Sequence, residues 1–274
     1  MMSVNGLRTH YQWMRAKNPR PGGAPTVVCV HGIGYDSLAS FYLTLASPLS
    51  EAGYDVLTYD LRGHGRTERP ATGYRLGDFV DDFEVLLKQL QVDGPIHLLG
   101  NSFGGTLAFS YAVRNPGRVA SIVGIESEPA TEVWSDKMSR TMANVVELMG
   151  DEGFLGWVTE IWGKHHARLN KAAAEGVGQT SIVAELAEGP LLSQAELDQI
   201  TCPVLSIVGD EGYQQDDLGA VAALLPDCRT EVIEGQDHSV LVERHQTVRK
   251  LLLSWLDEHE AGSVADELLE DGAA

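Results

Sequence analysis

The sequence predicts an α/β protein built on a mostly parallel sheet flanked by helices. Three observations carry this expectation. Short apolar runs rich in Val, Ile and Leu recur along the chain. Most of them end at Gly, Asp or Glu, or at a glycine-containing turn. Amphipathic helical stretches lie between them. Strands joined through helices need crossovers, and crossovers make neighbouring strands parallel.

The elements follow in order. Leu7 to Trp13 is expected as an antiparallel edge strand. Val27 to Val30 is the first core strand and stops at His31-Gly32. Tyr54 to Tyr59 stops at Asp60. Leu76 to Leu90 sets Phe79, Val80, Phe83, Leu86, Leu87 and Leu90 at helical spacing, so one face is apolar. Ile96 to Leu99 ends at Gly100, and Phe103 to Val113 is the helix that follows it directly. Ala120 to Ile125 ends at Glu126. Pro203 to Val208 and Thr230 to Ile233 complete the strands, and Val240 to Leu256 is a closing amphipathic helix.

Residues 131–199 break this alternation. They read as short helices with no strong strand, and they hold three of the 5 Trp and three of the 6 Met. Trp134, Met138, Met142, Val145 and Met149 fall near one helical face. That face can pack a small helical unit onto the sheet domain, and it can also roof an apolar cleft. In the second case Trp134, Met138, Met142 and Trp157 are candidate substrate contacts. The expected organisation is a core of 1–130 and 200–258, a helical unit of 131–199 and an acidic tail of 259–274. Between Asp257 and Asp271 acids abound and Lys and Arg are absent, as in a solvated tail.

Composition narrows the function. The chain has 274 residues, 43% apolar and 22% charged, which is a folding composition. Its net charge of −19, from 20 Lys+Arg against 39 Asp+Glu, disfavours nucleic acid and anionic membranes as partners. No apolar run reaches the roughly 18 residues of a membrane span. Met1 to Gly6 lacks the basic-then-apolar signature of a signal peptide. A cytoplasmic protein is therefore expected, as monomer or homodimer, acting on a small molecule. Cys29, Cys202 and Cys228 are too few and too scattered for a disulfide framework or a zinc site. No metal and no cofactor are expected.

The chemistry concentrates at Gly100-Asn101-Ser102-Phe103-Gly104, a G-x-S-x-G. Alone the pattern is weak. Between a strand and a helix it describes a nucleophile elbow, with flanking glycines allowing the sharp turn. A serine hydroxyl needs a base to take its proton. His238, in the loop between the last strand and the last helix, is the candidate. His31 and His64 sit in glycine-rich turns and are read as fixing those turns, while His165-His166 lie in the helical unit. Acyl chemistry also needs donors for an oxyanion. The backbone N–H of Phe103 supplies one, and that of Ile33 in His31-Gly32-Ile33-Gly34 can supply the second.

These residues resemble the α/β-hydrolase superfamily over about residues 5 to 258. The resemblance rests on His31 to Gly34, Asp60-Leu61-Arg62-Gly63-His64-Gly65-Arg66, Gly100 to Gly104, Pro203 to Gly209 and Gly235 to His238. It implies an α/β-hydrolase fold with an inserted helical cap. It also implies a serine, acid and histidine triad that needs no cofactor. Family members usually carry the acid three residues past a Gly, after the strand at Pro203 to Val208; here that position is Gly212. Haloalkane dehalogenases and fungal zearalenone lactone hydrolases place it at the end of the preceding strand, where this chain has Glu126. Glu126 is the preferred acid, Asp210 the alternate, and Glu128 and Glu211 remain open. The implied reaction is cleavage of a carboxylic ester or lactone of an apolar or aromatic molecule. Carbon–carbon bond hydrolysis, non-hydrolytic cyclisation or isomerisation, and ligand binding without turnover are the other readings.

Overall fold

Side chains alternate across a strand, and the core strands use both faces. In β4 (Thr26–Val30), Val28 and Val30 join one apolar cluster while Val27 and Cys29 join the other. In β6 (Ile96–Asn101), Ile96 and Leu98 face the first cluster and Leu99 the second. A sheet buried on both sides needs helices on both sides. The computed structural model describes residues 1–20, 23–149 and 177–270, with single positions between 150 and 177.

The remaining strands are β1 (Met2–Val4), β2 (Leu7–Thr9), β3 (Tyr11–Met14), β5 (Asp55–Tyr59), β7 (Val119–Ile125), β8 (Val204–Gly209) and β9 (Cys228–Ile233). The main sheet runs β3-β5-β4-β6-β7-β8-β9. Only the pairing of β3 with β5 is antiparallel. The sheet class thus agrees with the sequence expectation. The expected single strand Leu7 to Trp13 is instead divided at His10. The His10 N–H donates to Thr67 Oγ1 at 2.9 Å and its ring meets Asp60 at 2.7 Å. With that N–H diverted from a strand ladder, β2 pairs with β1 in a separate ribbon and β3 joins the main sheet.

The first face is covered by the helices Leu76–Gln89 and Phe103–Arg114. Asp78 starts the former by accepting the Arg75 N–H at 2.9 Å. Phe79 and Phe83 are fully buried, each worth about 1.5–3 kcal/mol of burial. Phe79 meets Phe103 edge-on at 4.9 Å, which ties this helix to the elbow. The other face is covered by a helical stretch outside the expected elements: Ala39–Phe41, a π-helical Tyr42–Ala46, and Ser47–Glu51. Phe41, Leu45 and Leu49 anchor it.

The C-terminal helix differs from expectation in two ways. It breaks at Arg244 into Val240–Glu243 and His245–Glu270, and its backbone continues past the expected tail boundary at 259. Within it His259 donates Nδ1–H to the Trp255 carbonyl at 2.7 Å and sets its ring tilted at 38° to that indole, 3.8 Å between centres. No proline interrupts the chain beyond it.

Between β7 and β8 the described residues include the helices Glu132–Met149, Ile182–Glu185 and Gln194–Leu197. Their far end latches onto the loop before Leu76–Gln89. Glu185 accepts the Gly73 and Tyr74 N–H groups at 2.9 and 2.6 Å, and Ser181 N–H reaches the Ala71 carbonyl at 2.9 Å. Among the described residues no helix is long and apolar enough to cross a membrane.

Candidate active site

Ser102 follows β6 with φ 51° and ψ −121°, a conformation costing a non-glycine residue about 1–3 kcal/mol. The surroundings hold it there. The Ser102 N–H donates to the Ile125 carbonyl at 2.8 Å. A Cβ on Gly100 would strike the Gly105 backbone, and one on Gly104 would strike the Val30 carbonyl. These glycines let the helix Phe103–Arg114 rise against β6 and β4, so the strained serine sits at the helix N-terminus.

Next to it, β7 ends in the same way. Glu126 has φ 50°, and its N–H donates to the Ile207 carbonyl at 2.9 Å. The turn sends its side chain under the loop after β8, where it is fully buried. A buried carboxylate must be hydrogen-bonded to be tolerated. Glu126 accepts the Gly209 N–H at 2.5 Å and the Tyr213 N–H at 3.3 Å. Its Oε2 lies 3.1 Å from His238 Nδ1, and His238 Nε2 lies 3.1 Å from Ser102 Oγ. A carboxylate only accepts, so Nδ1 carries the hydrogen and Nε2 offers its lone pair to the serine hydroxyl. The His238 side chain keeps 35% of its surface exposed.

Asp210, the alternate acid, is engaged elsewhere. Its Oδ1 accepts the Gly235 and Gln236 N–H groups at 2.7 and 3.3 Å, pinning the loop that precedes His238. Glu128 pairs with Lys137 at 2.7 Å, and Glu211 is exposed. Geometry therefore brings Glu126, and not these three, to the imidazole.

The turn after β4 approaches the serine closely. A Cβ on Gly32 would lie 3.3 Å from Ser102 Cβ. Gly32 N–H donates to Asp36 Oδ2 at 2.8 Å and Gly34 N–H to His64 Nε2 at 3.1 Å. Between them the Ile33 N–H, and at the helix start that of Phe103, meet no acceptor among the described residues.

The candidate contacts among residues 131–199 divide. Trp134 and Met142 are buried in the cluster that holds Phe79 and Phe103, with Trp134 centred 6.5 Å from Phe103. Met138 and Val145 are half-buried against the same cluster. Packing accounts for these positions, one layer removed from Ser102. Trp157 and His165-His166 lie outside the described residues. Two contributors escaped the sequence reading. Tyr213 supplies an N–H to Glu126 and sets its ring edge-on to His238 at 4.2 Å and 78°. Burial and the Glu126 charge raise its phenol above the ordinary range. Asp36 holds the turn below Ile33. Neither lies in a motif, so only folding reveals them. Among the described residues no group of three or more His, Cys, Asp or Glu is arranged to hold a metal.

A family model for the alpha/beta hydrolase fold matches residues 25–174. The chain is 25% identical over 286 residues to the proline iminopeptidase PfmaB of Pestalotiopsis fici, covering 93% of this chain and 98% of that protein. It is 24% identical over 245 residues to the carboxylesterase YbfK of Bacillus subtilis, covering 86% and 81%. Among solved structures, a carboxylesterase of Nitrososphaera gargenis superposes with a TM-score of 0.76 at 22% identity, over 94% of this chain and 97% of that one. The chain belongs to the α/β-hydrolase fold family.

Proposed function

We propose that the protein is a serine hydrolase that cleaves a carboxylic ester or lactone bond of an apolar or aromatic small molecule. The observation that carries this reading is the chain Ser102 Oγ, His238, Glu126, with both hydrogen-bond distances at 3.1 Å. His238 takes the hydroxyl proton as Ser102 Oγ attacks the carbonyl carbon. The Ile33 and Phe103 N–H groups receive the oxyanion. His238 then returns the proton to the departing alkoxide, leaving an acyl-Ser102. Water, deprotonated by His238, attacks the acyl carbon, and the carboxylic acid leaves with Ser102 restored. Glu126 holds the Nδ1–H tautomer and stabilises the imidazolium. The three Trp and three Met among residues 131–199 support a substrate with apolar surface.

The test is a fluorophosphonate adduct measured by intact mass on wild type and Ser102→Ala, followed by turnover of aryl esters and lactones. A single adduct absent from the variant, with ester turnover, is expected. A folded wild type that takes no adduct and turns over no ester overturns the reading. Including a vinylogous diketone and an aryl amide separates ester cleavage from carbon–carbon and amide cleavage, which the same three residues can perform.

A further inference from the structure

His31 and His64 brace each other's turns. Each donates Nδ1–H to a carbonyl of its own turn: His31 to Gly32 at 2.6 Å and His64 to Arg62 at 2.8 Å. A carbonyl only accepts, so in both rings Nδ1 carries the hydrogen and Nε2 the lone pair. Each Nε2 then accepts a backbone N–H from the opposite turn. Leu61 N–H reaches His31 at 3.0 Å, and Gly34 N–H reaches His64 at 3.1 Å. The exchange is reciprocal and buried, with the ring centres 5.4 Å apart.

We propose that His64 is a positioning residue for the hydrolytic reaction, holding the Ile33 N–H on the oxyanion by accepting the neighbouring Gly34 N–H, with His31 as its counterpart. The proposal rests on the reading of Ile33 and Phe103 as the oxyanion donors. The Ile33 N–H lies between two anchored peptides, one tied through Gly32 to Asp36 and the other through Gly34 to His64. Gly34 has φ 99°, a region where glycine meets no steric wall, so sterics alone do not set its peptide plane. The hydrogen bond to His64 does. The acceptor also stays available. Burial, reinforced by His31, pushes the His64 imidazole down to about 4, and a neutral ring keeps its lone pair. Ångström-scale misplacement of a catalytic group costs on the order of 100-fold in rate.

Three variants separate positioning from simple stabilisation. In His64→Gln, Oε1 can still accept the Gly34 N–H. In His64→Asn, the shorter amide can still donate to the Arg62 carbonyl but falls short of Gly34. His64→Phe fills the space with no polar atom. Ester turnover is measured per Ser102 site titrated with fluorophosphonate, so a partly folded preparation is scored on its folded fraction. Phenylboronic acid serves as the tetrahedral probe. We expect His64→Asn and His64→Phe to lose kcat on the order of 100-fold with little change in KM. Affinity for the boronic acid should fall in parallel, while His64→Gln recovers most of the rate. Full kcat per titrated site in His64→Asn or His64→Phe overturns the proposal, as does an equal loss in His64→Gln. If Phe at this position prevents folding, His64→Asn decides. A wild type without Ser102-dependent turnover instead defeats the hydrolase reading, and so is told apart.

Discussion

The carboxylate of Glu126 fills the space that a side chain on Gly212 would need. A Cβ built on Gly212 runs into both carboxylate oxygens. The two positions belong to different strands, Glu126 to the end of β7 and Gly212 to the loop after β8, yet they converge on one point beneath His238. The glycine is therefore the complement of the relocated acid.

That convergence predicts an exchange. Gly212→Asp alone should abolish ester turnover, because two carboxylates cannot share the site without collision and repulsion. Glu126→Gly alone should lose roughly 10³-fold or more in kcat. The double variant Glu126→Gly with Gly212→Asp should recover to within about tenfold of wild type. Glycine also suits the φ of 50° at position 126. Steady-state kinetics on the three proteins checks this, and a double variant no better than Glu126→Gly would refute the shared position.

The choice among acids gives a second expectation. Glu126→Gln should lower kcat by roughly 10³–10⁴-fold, since an amide no longer enforces the Nδ1–H tautomer or balances the imidazolium. Asp210→Asn keeps an oxygen for the Gly235 and Gln236 N–H groups and should stay within about threefold of wild type. A large loss in Asp210→Asn with Glu126→Gln near wild type would return the role to Asp210.

This discrimination was legible in the sequence because the G-x-x-D position reads Gly212 while a carboxylate stands at the exit of an apolar run. The core strands and the elbow were legible for a similar reason: burial on both faces writes itself as Val, Ile and Leu bounded by turns. Elements with mixed signals were not. The stretch 39–51 interleaves Ser, Thr and Pro with its apolar anchors Phe41, Leu45 and Leu49, and a π-helical turn over Tyr42–Ala46 divides it. The division at His10 depends on Thr67 and Asp60, more than 45 positions away. Tyr213 acts on Glu126 through its backbone N–H, which no residue type announces.

Stability should depend on pH through two buried imidazoles. Burial, with help from His31, pushes His64 down to about 4, and burial with the nearby His259 and Arg20 charges pushes His97 down to about 4. In the unfolded chain both protonate near 6.5. Below that pH the unfolded state binds more protons, so each contribution is complete above about 6.5 and is lost as pH falls to about 4. Each amounts to about 3 kcal/mol. Urea midpoints should decline across that window. His97→Asn, which can still meet Ser121, should roughly halve the decline; an undiminished slope would remove His97 from the account.

The elbow glycines predict a steep local cost. Gly104→Ala places a methyl against the Val30 carbonyl and should destabilise by more than about 3 kcal/mol, visible as a large fall in Tm or loss of soluble protein. Gly94→Ala, where a Cβ meets nothing within 4 Å, should change Tm little. Similar effects at the two positions would contradict the close packing of helix on strand.

Ser102 and His238 are 136 positions apart, and Glu126 and His238 are 112 apart. The histidine follows β9, an edge strand whose sole sheet partner is β8. Contacts of such long range form late, and synthesis delivers the N-terminal part first. A nascent chain thus presents its elbow serine with no base to activate it. Activation of Ser102 therefore waits on the docking of β9 and of the loop that carries His238.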